Sequence, residues 1–443
     1  MGATLVIGAG IAGLVRGFTL ARRGADVFVL EASPRPGGVI RSDRREGYLL
    51  ELGPNTVRPV PAIWRLLGEL DLRDRAIVSD PRLPRYVDFA GRLHRLPSSP
   101  ASFLTSGLLT PGGKLRLLSE PFRPRGGTSE ETVAQFAARR LGREAAERLV
   151  APFVSGIWAG DATRLSNAEA FPSLANWELE GGSLFRGALR QMRASRRDST
   201  AGRRPPRGLL SFPEGLEELP RALAGALGPR LRSGRAVQSV ERRGAGFRIL
   251  LADGETLEAE QVVLATPSRE SARLCAAFAP EAAAALEAIP YAPVVVLHLS
   301  WPAESARMDL AGFGHLVVPG PGRRILGAVW ASSLFPGRAP EGRILLAVFL
   351  GGSRDPEAAR LPEEELVSAA RRDLEEQLGV RGDPQVVAVT RWDHAIPQYV
   401  SGHRERIAAL ERAEREHPGI AFLGSYRGGI SIGDVVGNAA IVS

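Results

Sequence analysis

The chain has 443 residues, 44% of them hydrophobic, and a formal net charge of +8. That length suits two or three domains with a sizeable core. Its single cysteine, Cys275, excludes an internal disulfide and a thiolate metal site, no apolar run approaches the roughly 18 residues of a spanning helix, and no basic stripe interleaved with aromatics speaks for nucleic acid.

Read from the amino terminus, Thr4–Ile7 is a short β-rich run that leads straight into glycines rather than into a cleavage site. The expectation is therefore a cytoplasm-like compartment. Leu14–Arg23 has helical spacing and ends at Gly24. Asp26–Leu30 is a second β run closing on Glu31, so a βαβ unit fills the first thirty or so residues. Phe103–Leu109, Lys114–Pro121, Thr132–Leu141 and Arg143–Phe153 read as helices, and Ser195–Pro206 as an exposed or mobile polar loop. Ala236–Val240, Phe247–Leu251 and Glu255–Glu258 form a meander with Asp253-Gly254 at a hairpin turn. Gln261–Ala265 is a further strand. Val294–Leu299, His315–Val318, Arg324–Trp330 and Ile344–Gly351 suggest an antiparallel sheet. A helix over Glu363–Leu378 and strands at Gln385–Arg391 and Ile420–Gly424 complete the chain. Cys275 reads as core filler on a helix. The six histidines are scattered, none paired at metal-ligand spacing, so no metal is expected.

The βαβ unit carries the chemistry. Gly8-Ala9-Gly10-Ile11-Ala12-Gly13 follows a strand, opens a helix, and is answered about twenty residues later by Glu31. Gly8 permits the turn, Gly10 lets backbone approach a pyrophosphate, and Gly13 lets helix and strand pack closely. The helix N-terminus offers N–H groups to phosphate. Glu31 accepts from ribose hydroxyls and repels a 2′-phosphate. Glu31-Ala32 continues to Gly37-Gly38-Val39 and Arg41, which suits a diphosphate running on into a flavin, so FAD is the expected cofactor.

This arrangement resembles the amine-oxidase-like flavoprotein superfamily. The resemblance implies an α/β fold: a Rossmann-like FAD-binding domain interleaved with an antiparallel-sheet substrate domain and a helical insertion. The implied boundaries are residues 1–80, 208–285 and 400–443 for FAD, 81–97 and 286–399 for substrate, and 98–207 for the insertion. Further flavin-side residues are implied at Gly53, Pro54, Asn55 and Thr56, at Val237 and Ala265, at Trp392, and at Gly424, Ile430, Ser431 and Ile432 before a last helix. Asp434 reads equally as a cap of that helix or a flavin neighbour.

Other stretches narrow the resemblance to the protoporphyrinogen oxidase family: Glu51–Pro59 (ELGPNTVRP), Ala151–Ser166 (APFVSGIWAGDATRLS), Gly312–Pro319 (GFGHLVVP) and Ile396–His403 (IPQYVSGH) among them. That likeness implies oxygen-dependent, six-electron oxidation of protoporphyrinogen IX with peroxide as by-product. It implies Arg85 as the partner of a propionate, Gly156 and Ile157 as one wall of the substrate slot, and Phe313, Gly314 and Leu316 as the other. His315 is expected to alternate away from the slot. No side chain stands out as a general base, and none is assigned as catalytic.

The rival readings are the same chemistry on coproporphyrinogen III, another oxidoreductase of the superfamily, and a flavin-free prenyl-protein chaperone. Lys114, the only lysine, falls in the insertion; this counts against an amine oxidase, and the intact glycine motif counts against the chaperone. Family members bind membranes through the insertion. Here Ala101–Arg125 places Phe103, Leu104, Leu108, Leu109, Leu117, Leu118 and Phe122 beside arginines, suited either to a lipid interface on the cytoplasmic side of an inner membrane or to a helical core or dimer surface.

Overall fold

A computed structural model describes residues 3–128, 130–197 and 204–441. Five parallel strands form the first sheet, in the order Ile420–Phe422, Gln261–Leu264, Thr4–Ile7, Val27–Glu31 and Leu231–Ser233. The runs Thr4–Ile7 and Val262–Leu264 at its centre are buried on both faces, as parallel strands under helices require. The helix Ile11–Arg22 packs over this sheet against the helices Glu218–Leu227 and Ile432–Ile441. The antiparallel meander Val237–Arg243, Gly246–Leu251, Thr256–Ala259 lies beside it. Cys275 is fully buried there, and burial pushes its thiol up to about 12, leaving it inert.

The second sheet has seven strands, ordered Gln385–Pro397, Tyr291–Pro302, Arg343–Gly351, Ile325–Trp330, Gly314–Val317, Arg85–Phe89 and Arg92–Arg95. It is mixed rather than antiparallel throughout. The strand Arg85–Phe89 arrives from far upstream and pairs parallel with Gly314–Val317. The four strands expected to form an antiparallel sheet do pair antiparallel; the one parallel junction is made by Arg85–Phe89, because a long crossover connection permits parallel pairing that no local turn signal announces.

Residues 100–197 are helical. Two predicted helices begin earlier than expected, at Pro100 and Pro111, each behind a side-chain N-cap, Ser99 or Thr110. The helix expected over Arg143–Phe153 is continuous and runs on to Trp158; it takes a wide turn at Ala146–Val150, with Pro152 just beyond it. Proline has no N–H to donate back along the ladder, so the hydrogen-bond register changes there. A fully buried ion pair, Arg140 with Glu120, ties the insertion together; Glu120 also accepts from the Ser183 hydroxyl at 2.6 Å and the Leu184 amide at 2.9 Å. Of the polar stretch Ser195–Pro206, residues 198–203 lie outside the described residues.

Candidate functional site

At the glycine turn, Gly37 N–H donates to the Ala9 carbonyl at 2.8 Å, which brings the second loop against the first. Gly13 admits no substitute: an added Cβ would stand 1.9 Å from the Gly8 carbonyl oxygen. Gly10 is the opposite case. A Cβ there would meet no protein atom within 4 Å, so open space lies before the helix that starts at Ile11. That helix has no side-chain cap, leaving its first-turn N–H groups without a protein side-chain acceptor. Glu31, at the end of its strand, accepts from Ala9 N–H at 2.7 Å and Ser33 N–H at 2.9 Å. Two carboxylate oxygens carry about four acceptor sites, so capacity remains for a sugar hydroxyl. An open cradle, an uncapped helix start and a positioned carboxylate together fit an adenosine diphosphate group.

Ala12 is buried, whereas Ala32, Gly38, Val39 and Arg41 are exposed around the second loop. Arg41 has no carboxylate partner among the described residues. A residue not anticipated from sequence holds this loop: buried Glu217 accepts from Ser42 N–H at 2.9 Å and from Arg35 at 2.5 Å. Gly53–Thr56 are half-buried, and the Asn55 amide donates to the Gly53 carbonyl. Behind them sits a second unanticipated group, the buried pair Glu51–Arg338 at 3.1 Å. Burial pushes the Glu51 carboxyl above its usual value despite that neighbour. The indole of Trp392 donates to the Leu52 carbonyl at 2.7 Å, fastening the second sheet to the Gly53 loop.

Val237 is buried at the start of the meander, its carbonyl accepting from Arg273 at 2.9 Å. Ala265 N–H donates to the Ile7 carbonyl at 2.8 Å, so it borders the glycine turn. At the C-terminal turn, Gly424 and Ile430 are half-buried and Ser431 is exposed. Ser431 caps the final helix reciprocally with Asp434: its hydroxyl donates to the Asp434 carboxylate at 2.6 Å and accepts from Asp434 N–H at 3.1 Å. Asp434 is thus a cap, and Ile432 is the first residue of the helix.

Of the six residues expected at the slot, Arg85 meets Phe313 and Gly314, and Gly156 meets Leu316. Gly314 is the register partner of Arg85, and Phe313 N–H donates to the Pro84 carbonyl at 2.9 Å. The Arg85 guanidinium lies 5.0 Å from the centre of the Phe313 ring. Gly156 faces Leu316 so closely that an added Cβ would come within 2.2 Å of its methyl. Ile157 is 44% exposed. His315 points elsewhere: its Nε2 bonds Gln377 at 2.9 Å and its Nδ1 accepts from the Trp330 indole at 3.2 Å. Burial lowers it to about 4, so the ring is neutral. Lys114 donates to the Leu104 carbonyl within the insertion, away from both sheets.

Arg85 and Phe313 also border a cavity of about 370 Å³, which is flanked by Arg58, Arg207 and Leu334. Desolvation and the nearby charge of Arg58 hold the Arg85 pKa below its ordinary value. Neither Arg58 nor Arg207 was singled out from sequence: Arg58 lies within the stretch Glu51–Pro59 that carries the resemblance but was given no role there, and Arg207 follows a polar, arginine-bearing stretch with no motif to mark it.

A parallel-sheet dinucleotide site joined to a mixed-sheet domain defines an FAD-dependent oxidoreductase. The chain belongs to the flavin containing amine oxidoreductase family, whose model matches residues 11–437. It is 33% identical to the chloroplastic protoporphyrinogen oxidase of Nicotiana tabacum, over 98% of this chain and 83% of that one. It is 34% identical to the Oryza sativa protein of the same name, over 98% and 86%, and 28% identical to the coproporphyrinogen III oxidase of Bacillus subtilis, over 99% and 96%. Among solved structures, reduced UDP-galactopyranose mutase shares the fold at TM-score 0.75 and 16% identity, over 99% of this chain and 94% of that one.

Proposed function

We propose that the protein oxidises protoporphyrinogen IX to protoporphyrin IX in haem biosynthesis, removing six electrons in three two-electron steps. The observation that carries this reading is the meeting of Arg85 with Phe313 and Gly314 and of Gly156 with Leu316, far apart in sequence, where the strand Arg85–Phe89 joins Gly314–Val317. The names of the full-length relatives support it. When bound, FAD supplies the two-electron acceptor for hydride from the macrocycle, and molecular oxygen restores it with release of peroxide.

The protein's part is binding and orientation. Arg85 offers a planar, bidentate cation to a propionate. Ile157 and Leu316 supply apolar walls for a tetrapyrrole, and Gly156 keeps those walls close. The neutral, doubly hydrogen-bonded His315 does not take part in proton transfer. The domain boundaries drawn from sequence go with this division: the strands of the parallel sheet come from 4–31, 231–264 and 420–422, and those of the mixed sheet from 85–95 and 291–397.

We further infer that the helical insertion rests on a membrane surface. Leu115, Leu118 and Phe122 are 71%, 52% and 85% exposed beside Lys114 and Arg123. No helix among the described residues is long and apolar enough to cross a bilayer.

The decisive experiment supplies FAD-loaded protein with protoporphyrinogen IX in air. Porphyrin fluorescence should rise with three O₂ consumed and three peroxides formed per porphyrin. A rate no faster than spontaneous oxidation would overturn the assignment. The same chemistry on coproporphyrinogen III is the second reading, favoured by Arg58 and Arg207.

A further inference from the structure

The cavity beside Arg85 carries more positive charge than one propionate contact requires. Arg58 and Arg207 come to it from distant parts of the sequence. The Val57–Leu210 bridge joins them, with reciprocal backbone hydrogen bonds of 3.1 and 2.8 Å, and Ser79 N–H donates to the Leu209 carbonyl at 2.8 Å. Arg58, Arg85 and Arg207 have no carboxylate partner among the described residues. The one acid on the cavity wall, Asp80, is already engaged by Arg82 through paired hydrogen bonds of 3.0 Å. Three guanidinium groups without carboxylate partners around one concavity repel one another and leave a local excess of positive charge that favours an anion. Phe313, Leu83 and Leu334 give the same cavity apolar surface. A ligand matching this lining is an apolar body bearing several carboxylates.

We propose that Arg58 and Arg207 act with Arg85 as carboxylate-binding, specificity-determining residues, so that the enzyme accepts a tetracarboxylate porphyrinogen, coproporphyrinogen III, as well as a dicarboxylate one. This rests on the porphyrinogen oxidase reading. Guanidinium pairs with carboxylate in fixed bidentate geometry, so each unpaired arginine discriminates for an arm that can reach it.

The test measures kcat and KM of FAD-loaded wild type, Arg58→Gln and Arg207→Gln on both porphyrinogens, with Arg82→Gln as a charge control. Flavin content and melting temperature are recorded for each. The expected result is turnover of coproporphyrinogen III by wild type. Either cavity variant should lower kcat/KM for that substrate roughly tenfold or more, mainly through KM. The change on protoporphyrinogen IX should be under about threefold, flavin content should hold, and Arg82→Gln should match wild type. If wild type oxidises protoporphyrinogen IX but not coproporphyrinogen III, or if the variants affect both substrates equally or neither, the arginine assignment is overturned while the oxidase reading stands. If wild type oxidises neither, both fall.

Discussion

Trp158 meets Tyr399 edge-on, with ring centroids 5.0 Å apart, and so packs the helix Ala151–Trp158 on the segment that follows the strand Gln385–Pro397. The Tyr399 hydroxyl donates to the Ser425 carbonyl at 2.6 Å and accepts from Gly429 N–H at 3.0 Å. On its other side the ring stacks on buried His403 at 4.0 Å. Gln398 adds a bond from its amide to the Trp158 carbonyl at 2.8 Å.

Tyr399→Phe should keep the ring contacts and lose both hydrogen bonds. Each buried partner left unsatisfied costs about 1–3 kcal/mol. The variant should fold, melt several degrees lower, and show an altered visible circular dichroism of its flavin together with a lower kcat at similar KM. An unchanged flavin spectrum and kcat would show that the hydroxyl has no bearing on the site.

Gly10→Val should give folded but colourless protein. The side chain enters open space rather than protein, so the fold survives while the diphosphate position is filled. Glu31→Ala should weaken FAD binding by about 1.5–3 kcal/mol, the worth of a charge-assisted hydrogen bond. Absorbance of the purified proteins near the flavin bands, and titration with FAD, check both; full occupancy of Gly10→Val would remove the glycine turn from the cofactor site.

Arg85→Ala should retain flavin and raise KM for porphyrinogen, again by about 1.5–3 kcal/mol in kcat/KM. Steady-state fluorescence assays against wild type decide it, and equal kinetics would take Arg85 out of the slot.

Acid should destabilise the fold between pH 6.5 and 4. His298, His315 and His403 are each lowered to about 4, chiefly by burial. The unfolded chain then binds more protons than the folded one in that window, so stability is complete above 6.5 and lost as pH falls through 4. Each histidine contributes on the order of 1.4 kcal/mol per pH unit there. Melting temperatures from pH 7 to 5 should fall less steeply in His315→Leu than in wild type, although that variant starts lower; parallel slopes would contradict the sign.

Legibility followed locality. Glycines, helix start and Glu31 lie within thirty residues, so spacing alone displays their geometry. The helix Glu363–Leu378 was likewise readable, its apolar period unbroken. What the sequence hid depends on distant pairing. Arg207 reaches Arg58 only because Leu210 bridges Val57, and Glu217 holds the Gly37 loop only after Glu218–Leu227 packs on the first helix. Within the insertion the helix over Arg143–Phe153 was readable, but its wide turn at Ala146–Val150 was not, because apolar periodicity outweighed the missing amide of Pro152. His315 was placed rightly on the far side by strand alternation, but its partners Trp330 and Gln377 come from other elements.

The parallel sheet sets an order of events during synthesis. Thr4–Ile7 waits for Gln261–Leu264, which in turn waits for Ile420–Phe422. A nascent chain therefore exposes one edge of its earliest strand until Leu264 has emerged, and the sheet closes only once Phe422 clears the ribosome.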